Sequence, residues 1–201
     1  MRLVLDVGAN IGQSAHEFER EFPQAVVHCF EPIPSTFAKL KANVHGDRFH
    51  LHPLAMGSSA ATLDVQVTNA EEHSDMNSLR GPHPFLEHTS FRTERIQVEV
   101  LDEWCARNGV THVDYLKIDT EGYDLEVLKG AAKLLAAKRI RCLEAEVSMS
   151  SANTFHVPLS GVSELLVQHG YQLFGIYDQM QEQDPPKPFL RRANALFTHS
   201  D

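Results

Sequence analysis

Apolar and polar positions along the chain switch between two periods. Residues 3–7 are a nearly continuous apolar run broken by Asp6, the pattern of a strand buried on both faces. After a turn at residues 8–12, apolar positions recur at helical spacing over residues 11–22 (Ile11, Ala15, Phe18, Phe22) and stop before Pro23. A second buried strand is predicted over residues 26–30. A helix capped by Ser35 then runs through Phe37, Leu40 and Val44 to a stop at Gly46, and a third strand covers residues 49–55. This β-α-β-α-β order with short links predicts a parallel sheet with right-handed crossovers.

The next stretch departs from that alternation. Residues 62–68 place Leu63, Val65 and Val67 on one face, as in an antiparallel strand, and a further strand is predicted at residues 96–100. The polar connection between them, residues 69–94, is long for a compact domain and is expected to act as a flexible loop or lid. A short helix capped by Asp102 ends at Asn108, and residues 113–118 form a central strand running into Asp119. One long helix is predicted over residues 123–138, with Leu125, Leu128, Ala132 and Leu135 as its buried stripe. A strand at residues 141–147, a helix at residues 159–168 and a terminal antiparallel pair (residues 171–177 and 194–198) complete a single domain spanning residues 1–201.

Composition narrows the partners. The 201 residues carry 18 basic and 27 acidic side chains, a formal charge of −9, and such a surface repels phosphate backbones, so nucleic acid is excluded as the expected partner. No apolar run is long enough to span a bilayer, and no signal-peptide pattern leads the chain, which predicts a cytoplasmic protein without a membrane span. Three widely spaced cysteines with no Cys-x-x-Cys fit a reducing compartment.

Three strand-end motifs carry chemistry. Asp6-Val7-Gly8-Ala9-Asn10-Ile11-Gly12 closes one strand and opens a helix, and its glycines allow a sharp turn and close approach to a ligand. The spacing is not that of a dinucleotide fingerprint, because Asn10 and Gln13 stand where glycines would be required. An acid ahead of such a turn suits a ligand with an amino-acid end, its ammonium near carboxylate and its carboxylate near helix amides. Glu31, at the tip of the second strand before Pro32, is placed to accept both hydroxyls of a ribose. Lys117-Ile118-Asp119-Thr120-Glu121-Gly122 sets two carboxylates at the carboxyl end of the central strand, where open α/β sheets bind ligands; Glu121 also reads as a first-turn acid favouring a helix dipole.

Together with Met76-Asn77-Ser78-Leu79, Leu101-Asp102 and Tyr123-Asp124, these motifs resemble the FkbM family of S-adenosylmethionine-dependent methyltransferases, from Val4 to about Tyr177. The resemblance implies a Rossmann-like class I methyltransferase fold: a mostly parallel seven-stranded sheet with an antiparallel last strand, helices on both faces, and a β-hairpin insertion around residues 60–100. It implies transfer of a methyl group to a hydroxyl of a small molecule, sugar, glycolipid or polyketide, leaving S-adenosylhomocysteine. The expected cofactor-binding set is Asp6, Gly8, Ala9, Asn10, Gly12, Glu31, Pro32, Leu54, Ala55, Asn77, Ser78 and Asp119, with adenine near Leu54 and Ala55. His156, in the loop after the strand bearing Glu144 and Glu146, is the expected base, with Asp119 as the alternative. No metal is expected, although Asp119, Glu121, Glu144 and Glu146 have the right ligand type for a divalent ion. The site is expected to be covered by the loop at residues 69–94, or by a second subunit in a homodimer, or to take a large acceptor. The competing readings are a non-catalytic nucleoside-binding protein and a nicotinamide-dependent oxidoreductase.

Overall fold

A computed structural model describes residues 1–70, 77–81, 89–183 and 186–200. In chain order the elements are β1 (Leu3–Val7), α1 (Gln13–Glu21), β2 (Val26–Phe30), α2 (Pro34–Asn43), β3 (Phe49–His52), β4 (Ala55–Gly57), β5 (Ala61–Thr68), β6 (Phe91–Val100), α3 (Leu101–Arg107), β7 (Val113–Ile118), α4 (Asp124–Gly130), α5 (Ala132–Ala136), β8 (Ile140–Ser148), α6 (Leu159–Gln168), β9 (Gln172–Gln183) and β10 (Pro186–Thr198). Seven strands form one sheet in the order β3-β2-β1-β7-β8-β10-β9. Strands β1, β2, β3, β7 and β8 pair in parallel, and β10 runs antiparallel to both β8 and β9. The chain order reverses between β1 and β7, and in such sheets the crevice at that point is where ligands bind. The insertion is a separate three-stranded sheet, β4-β6-β5.

Alternation along β1 sorts the core. Leu5 and Val7 join the larger apolar cluster with Leu116, Ile118, Leu128 and Trp104, while Val4 joins a second one with Ala15, Phe18, Val27, Cys29 and Leu40. Helices therefore cover both faces. Burying each large apolar side chain fully contributes roughly 1.5–3 kcal/mol. Tyr171, wholly buried, keeps its hydroxyl satisfied by donating to the Ile140 carbonyl at 2.6 Å. Cys29 and Cys105 are buried free thiols. No helix among the described residues is long and apolar enough to cross a membrane.

Several local expectations are corrected. The predicted strand at residues 49–55 is two strands in different sheets, β3 and β4. Strand β6 begins at Phe91, so the end of the expected loop at residues 69–94 is sheet; residues 71–76 and 82–88 of that loop, including Met76, lie outside the described residues. Ser35 does not cap α2. Pro34 opens the helix, and the Glu94 carboxylate from β6 accepts both the Ser35 N–H (3.0 Å) and the Ser35 hydroxyl (2.6 Å). The helix predicted over residues 123–138 breaks at Ala131 into α4 and α5. Asp102, expected to cap its own helix, instead accepts the N–H groups of Lys133 (2.8 Å) and Leu134 (3.0 Å), satisfying donors that the break would leave open. Gly130 sits against β4, where an added Cβ would lie 2.1 Å from the Gly57 carbonyl oxygen.

Candidate active site

The carboxyl ends of β1, β2 and β7 lie side by side, with Val7 in register with both Phe30 and Ile118. The chain after β1 turns back onto β2: the N–H groups of Gly8 and Ala9 both donate to the Phe30 carbonyl at 3.0 Å. Gly8 has φ +90°, and a Cβ there would meet the Asp119 carbonyl oxygen at 1.9 Å, so the turns after β1 and β7 touch backbone to backbone. Two residues other than glycine hold left-handed backbone in these turns, Asn10 (φ 49°) and Glu121 (φ 51°). Such conformations are strained for side-chain-bearing residues and concentrate at functional sites.

A cavity of ≈ 230 Å³ opens at this edge. Gly8, Ala9 and Asn10 form one wall, Glu31 and Pro32 a second, and Asp119 and Glu121 a third. Leu54, Ala55 and Met56 supply apolar surface, and Asn77 and Leu79 reach it from the insertion. Glu31 is almost wholly buried, and its oxygens accept the Asn10 N–H (3.2 Å) and the Ile33 N–H (2.9 Å). Burial pushes its carboxyl up to about 7, against the lowering effect of those two bonds. The Asn10 side-chain oxygen is buried with no hydrogen-bond partner.

Four expected site residues stand elsewhere. Asp6 does not line the cavity, because the pleat of β1 turns it to the α1 face with Val4. There it forms a row with Lys117 and Glu144, adjacent in register across β1, β7 and β8. Asp6 is fully buried, neither oxygen takes a hydrogen bond, and burial raises its carboxyl to about 7 even though Lys117 lowers it. Burial alone would lower Lys117, but the Asp119 and Asp6 carboxylates outweigh it and hold the ammonium above its usual range. Gly12 packs under Leu40 and Val44 instead of facing the cavity. Ser78 is buried outside the lining and donates its hydroxyl to the Glu121 carbonyl at 2.6 Å.

His156 is also displaced from its expected place. It is buried in the wall behind Glu121 and lines a second, larger cavity of ≈ 850 Å³ formed with Arg80, Tyr123, Ser148, Asn153 and Leu159 among others. Its Nε2 lies 3.1 Å from Glu121 Oε2 and 2.8 Å from Glu146 Oε2, and its Nδ1 contacts the Asn153 amide. The four carboxylates of suitable ligand type do not converge as one group. Asp119 pairs with Lys117 at 2.8 Å, and Glu144 accepts from the Tyr115 hydroxyl and from Asn194 (3.2 Å). Only Glu121 and Glu146 meet, at His156. Sequence reasoning missed Arg192, which lines the first cavity and pairs with Glu146. Its strand lies at the far end of the chain, and only the antiparallel pairing of β10 with β8 brings it there.

The profile of the methyltransferase FkbM domain matches residues 6–173. Among curated proteins, the 2-O-methyltransferase NoeI of Sinorhizobium fredii is 28% identical over 173 residues, covering 82% of this chain and 70% of its own length. The 31-O-demethyl-FK506 methyltransferase FkbM of Streptomyces tacrolimicus is 28% identical, with 91% and 75% covered. The hexuronic acid methyltransferase AglP of Haloferax volcanii is 32% identical over 65% of this chain and 50% of its own. The fold is shared with the magnesium protoporphyrin IX methyltransferase ChlM of Synechocystis PCC 6803, a structure with bound SAM (TM-score 0.54, 9% identity, 99% of this chain and 70% of that one).

Proposed function

Starting from the fact that the chain belongs to the FkbM family of S-adenosylmethionine-dependent methyltransferases, we propose that it methylates a hydroxyl of a sugar or hydroxylated small molecule. The observation that carries this reading is Glu31, a buried carboxylate facing the cavity at the tip of β2, one strand away from the Gly8-Ala9-Asn10 turn. The residues present fit the cofactor. Glu31 would accept the ribose hydroxyls, and the unpartnered Asn10 oxygen would accept from the ammonium of the methionine end. Leu54, Ala55 and Met56 give the adenine an apolar seat. Asn77 and Leu79 line the cavity, so residues 77–81 reach it from the insertion, and we assign these residues a part in holding the cofactor.

When bound, S-adenosylmethionine supplies a methyl group on a positively charged sulfur, which is already an activated leaving group. The work left to the protein is alignment and proton handling. Besides Glu31, the carboxylates of Asp119 and Glu121 line the cavity, and they hold the acceptor hydroxyl. Lys117 fixes Asp119, and His156 acts through Glu121 as a positioning residue. The relatives' printed activities on a 2-O position, on FK506 and on a hexuronic acid guide the choice of acceptors to test. The test is transfer of labelled methyl from S-adenosylmethionine to a panel of uronic acids, oligosaccharides and macrolides, read by mass spectrometry. Label should appear on one acceptor class as a methyl ether. Transfer to nitrogen or carbon only, or to nothing while the nucleoside still binds, would overturn the proposal.

A further inference from the structure

Glu121, Glu146 and His156 come from three separate segments: the turn after β7, the strand β8 and the loop before α6. Glu121 Oε2, Glu146 Oε2 and His156 Nε2 point at one another, all within 4.8 Å. The His156 and Glu146 side chains are 3% and 1% exposed. The imidazole Nε2 carries at most one hydrogen, yet two carboxylate oxygens face it at 2.8 and 3.1 Å. That leaves lone pairs converging on a point with too few protons to share. Glu146 adds a second observation: its carboxylate is buried beneath the surface, with Oε2 facing His156 Nε2 at 2.8 Å. Its Oε1 is ion-paired with Arg192, so Oε2 is the atom turned inward.

We propose that these three residues hold a divalent transition-metal ion in the wall between the two cavities. Adjacent donors on an octahedral ion at about 2.1 Å stand about 3 Å apart, as His156 Nε2 does from each of the two carboxylate oxygens. One imidazole and two carboxylates favour Mn²⁺, Fe²⁺ or Zn²⁺ over Mg²⁺ or Ca²⁺. The outer atoms are held as metal sites require: Asn153 fixes His156 through Nδ1, and Arg192 fixes Glu146 through Oε1. Glu121 lines the first cavity and His156 the second, so an ion here touches both. Its remaining positions hold and polarise the acceptor hydroxyl, a role that rests on the methyl-transfer reading; the binding itself does not.

The test uses chelator-stripped full-length protein titrated with Mn²⁺ alone, followed by calorimetry and by loss of the electron paramagnetic resonance signal of aqueous Mn²⁺. One ion should bind per chain. Glu121→Gln, the more exposed ligand, should weaken uptake by about tenfold or more, and His156→Ala should do likewise if circular dichroism shows it folded. Wild-type protein that takes up no Mn²⁺, or a Glu121→Gln protein that binds it as tightly as wild type, overturns the metal site. S-adenosylhomocysteine is titrated into the same samples. Nucleoside binding without Mn²⁺ uptake sinks the metal site and leaves the methyltransferase reading intact. Mn²⁺ uptake without nucleoside binding does the reverse.

Discussion

The ribose contact proposed for Glu31 predicts how cofactor affinity follows pH. Burial holds the Glu31 carboxyl near 7, so at neutral pH the free protein is a mixture of ionised and protonated forms. The ionised form is the one that accepts hydroxyl hydrogens. At about pH 6 most molecules carry the proton and must lose it to bind, whereas at about pH 8 few do. With a carboxyl titrating at about 7, the ratio of apparent dissociation constants between those conditions is about tenfold, tighter at the higher pH. Glu31→Gln removes both the charge and the titration. Two charge-assisted bonds to hydroxyls become neutral or are lost, which costs about 1.5–3 kcal/mol, or roughly 10- to 150-fold in affinity. The amide also turns a donor toward the Asn10 or Ile33 N–H, so some stability is lost with it. Calorimetry with S-adenosylhomocysteine across this pH range reads both effects. The variant's affinity should stay flat with pH, which separates Glu31 from Asp6, a second carboxyl also near 7. A variant that binds within twofold of wild type, or one that keeps the wild-type pH slope, refutes the assignment.

Three further outcomes follow from the same geometry. Asp6 binds a proton in the folded state up to about 7 but only to its ordinary 3.8 when unfolded, so its contribution to stability is present at low pH and lost as pH rises through about 7. Asp6→Asn should flatten that loss, gaining at most about 4 kcal/mol over wild type in urea unfolding at about pH 8 and nothing near pH 4. Gly8→Ala places a Cβ into the Asp119 carbonyl at a φ of +90°, so it should lower stability by more than about 2 kcal/mol and abolish the calorimetric heat of S-adenosylhomocysteine. Asp102→Ala strips the acceptor from two N–H groups of α5 and should cost about 1–2 kcal/mol in urea unfolding, with nucleoside affinity unchanged.

The strand-end cleft proposed to hold the cofactor was legible because it is local. A strand, a glycine turn and an acid one strand over are each encoded within a dozen residues, and parallel pairing of β1 with β2 follows from the short crossover between them. The placement of Asp6 was not legible at the same level. A buried strand is apolar on both faces, so its hydrophobic pattern does not say which face an interrupting acid joins, and Asp6 joined the α1 face. The helix ends depart from the local pattern for a related reason. Ser35 and Asp102 have the chemistry of caps, but Glu94 and the broken α4–α5 helix offered other partners through contacts distant in sequence.

The side proposed for the acceptor was illegible because it is assembled from separate segments. His156 was singled out by its position after β8, which brought it near the right place and gave it the wrong surroundings: buried behind Glu121, not exposed to the cavity. Glu146 and Arg192 meet only because β10 inserts antiparallel beside β8, a pairing across more than forty positions that no local pattern encodes. The division has a physical basis. A nucleoside of fixed shape can be gripped by a short motif that any β-α-β unit supplies, whereas a variable acceptor needs groups drawn from several loops at once. In this chain that convergence is the strained Glu121 turn. Its backbone carbonyl takes the Ser78 hydroxyl from the insertion, its carboxylate meets His156, and its side chain lines the same cavity as Gly8, Asn10 and Glu31. If Glu121 sets the reacting geometry, its truncation must damage methyl transfer far more than nucleoside binding. Equal losses in both would assign it to the fold alone.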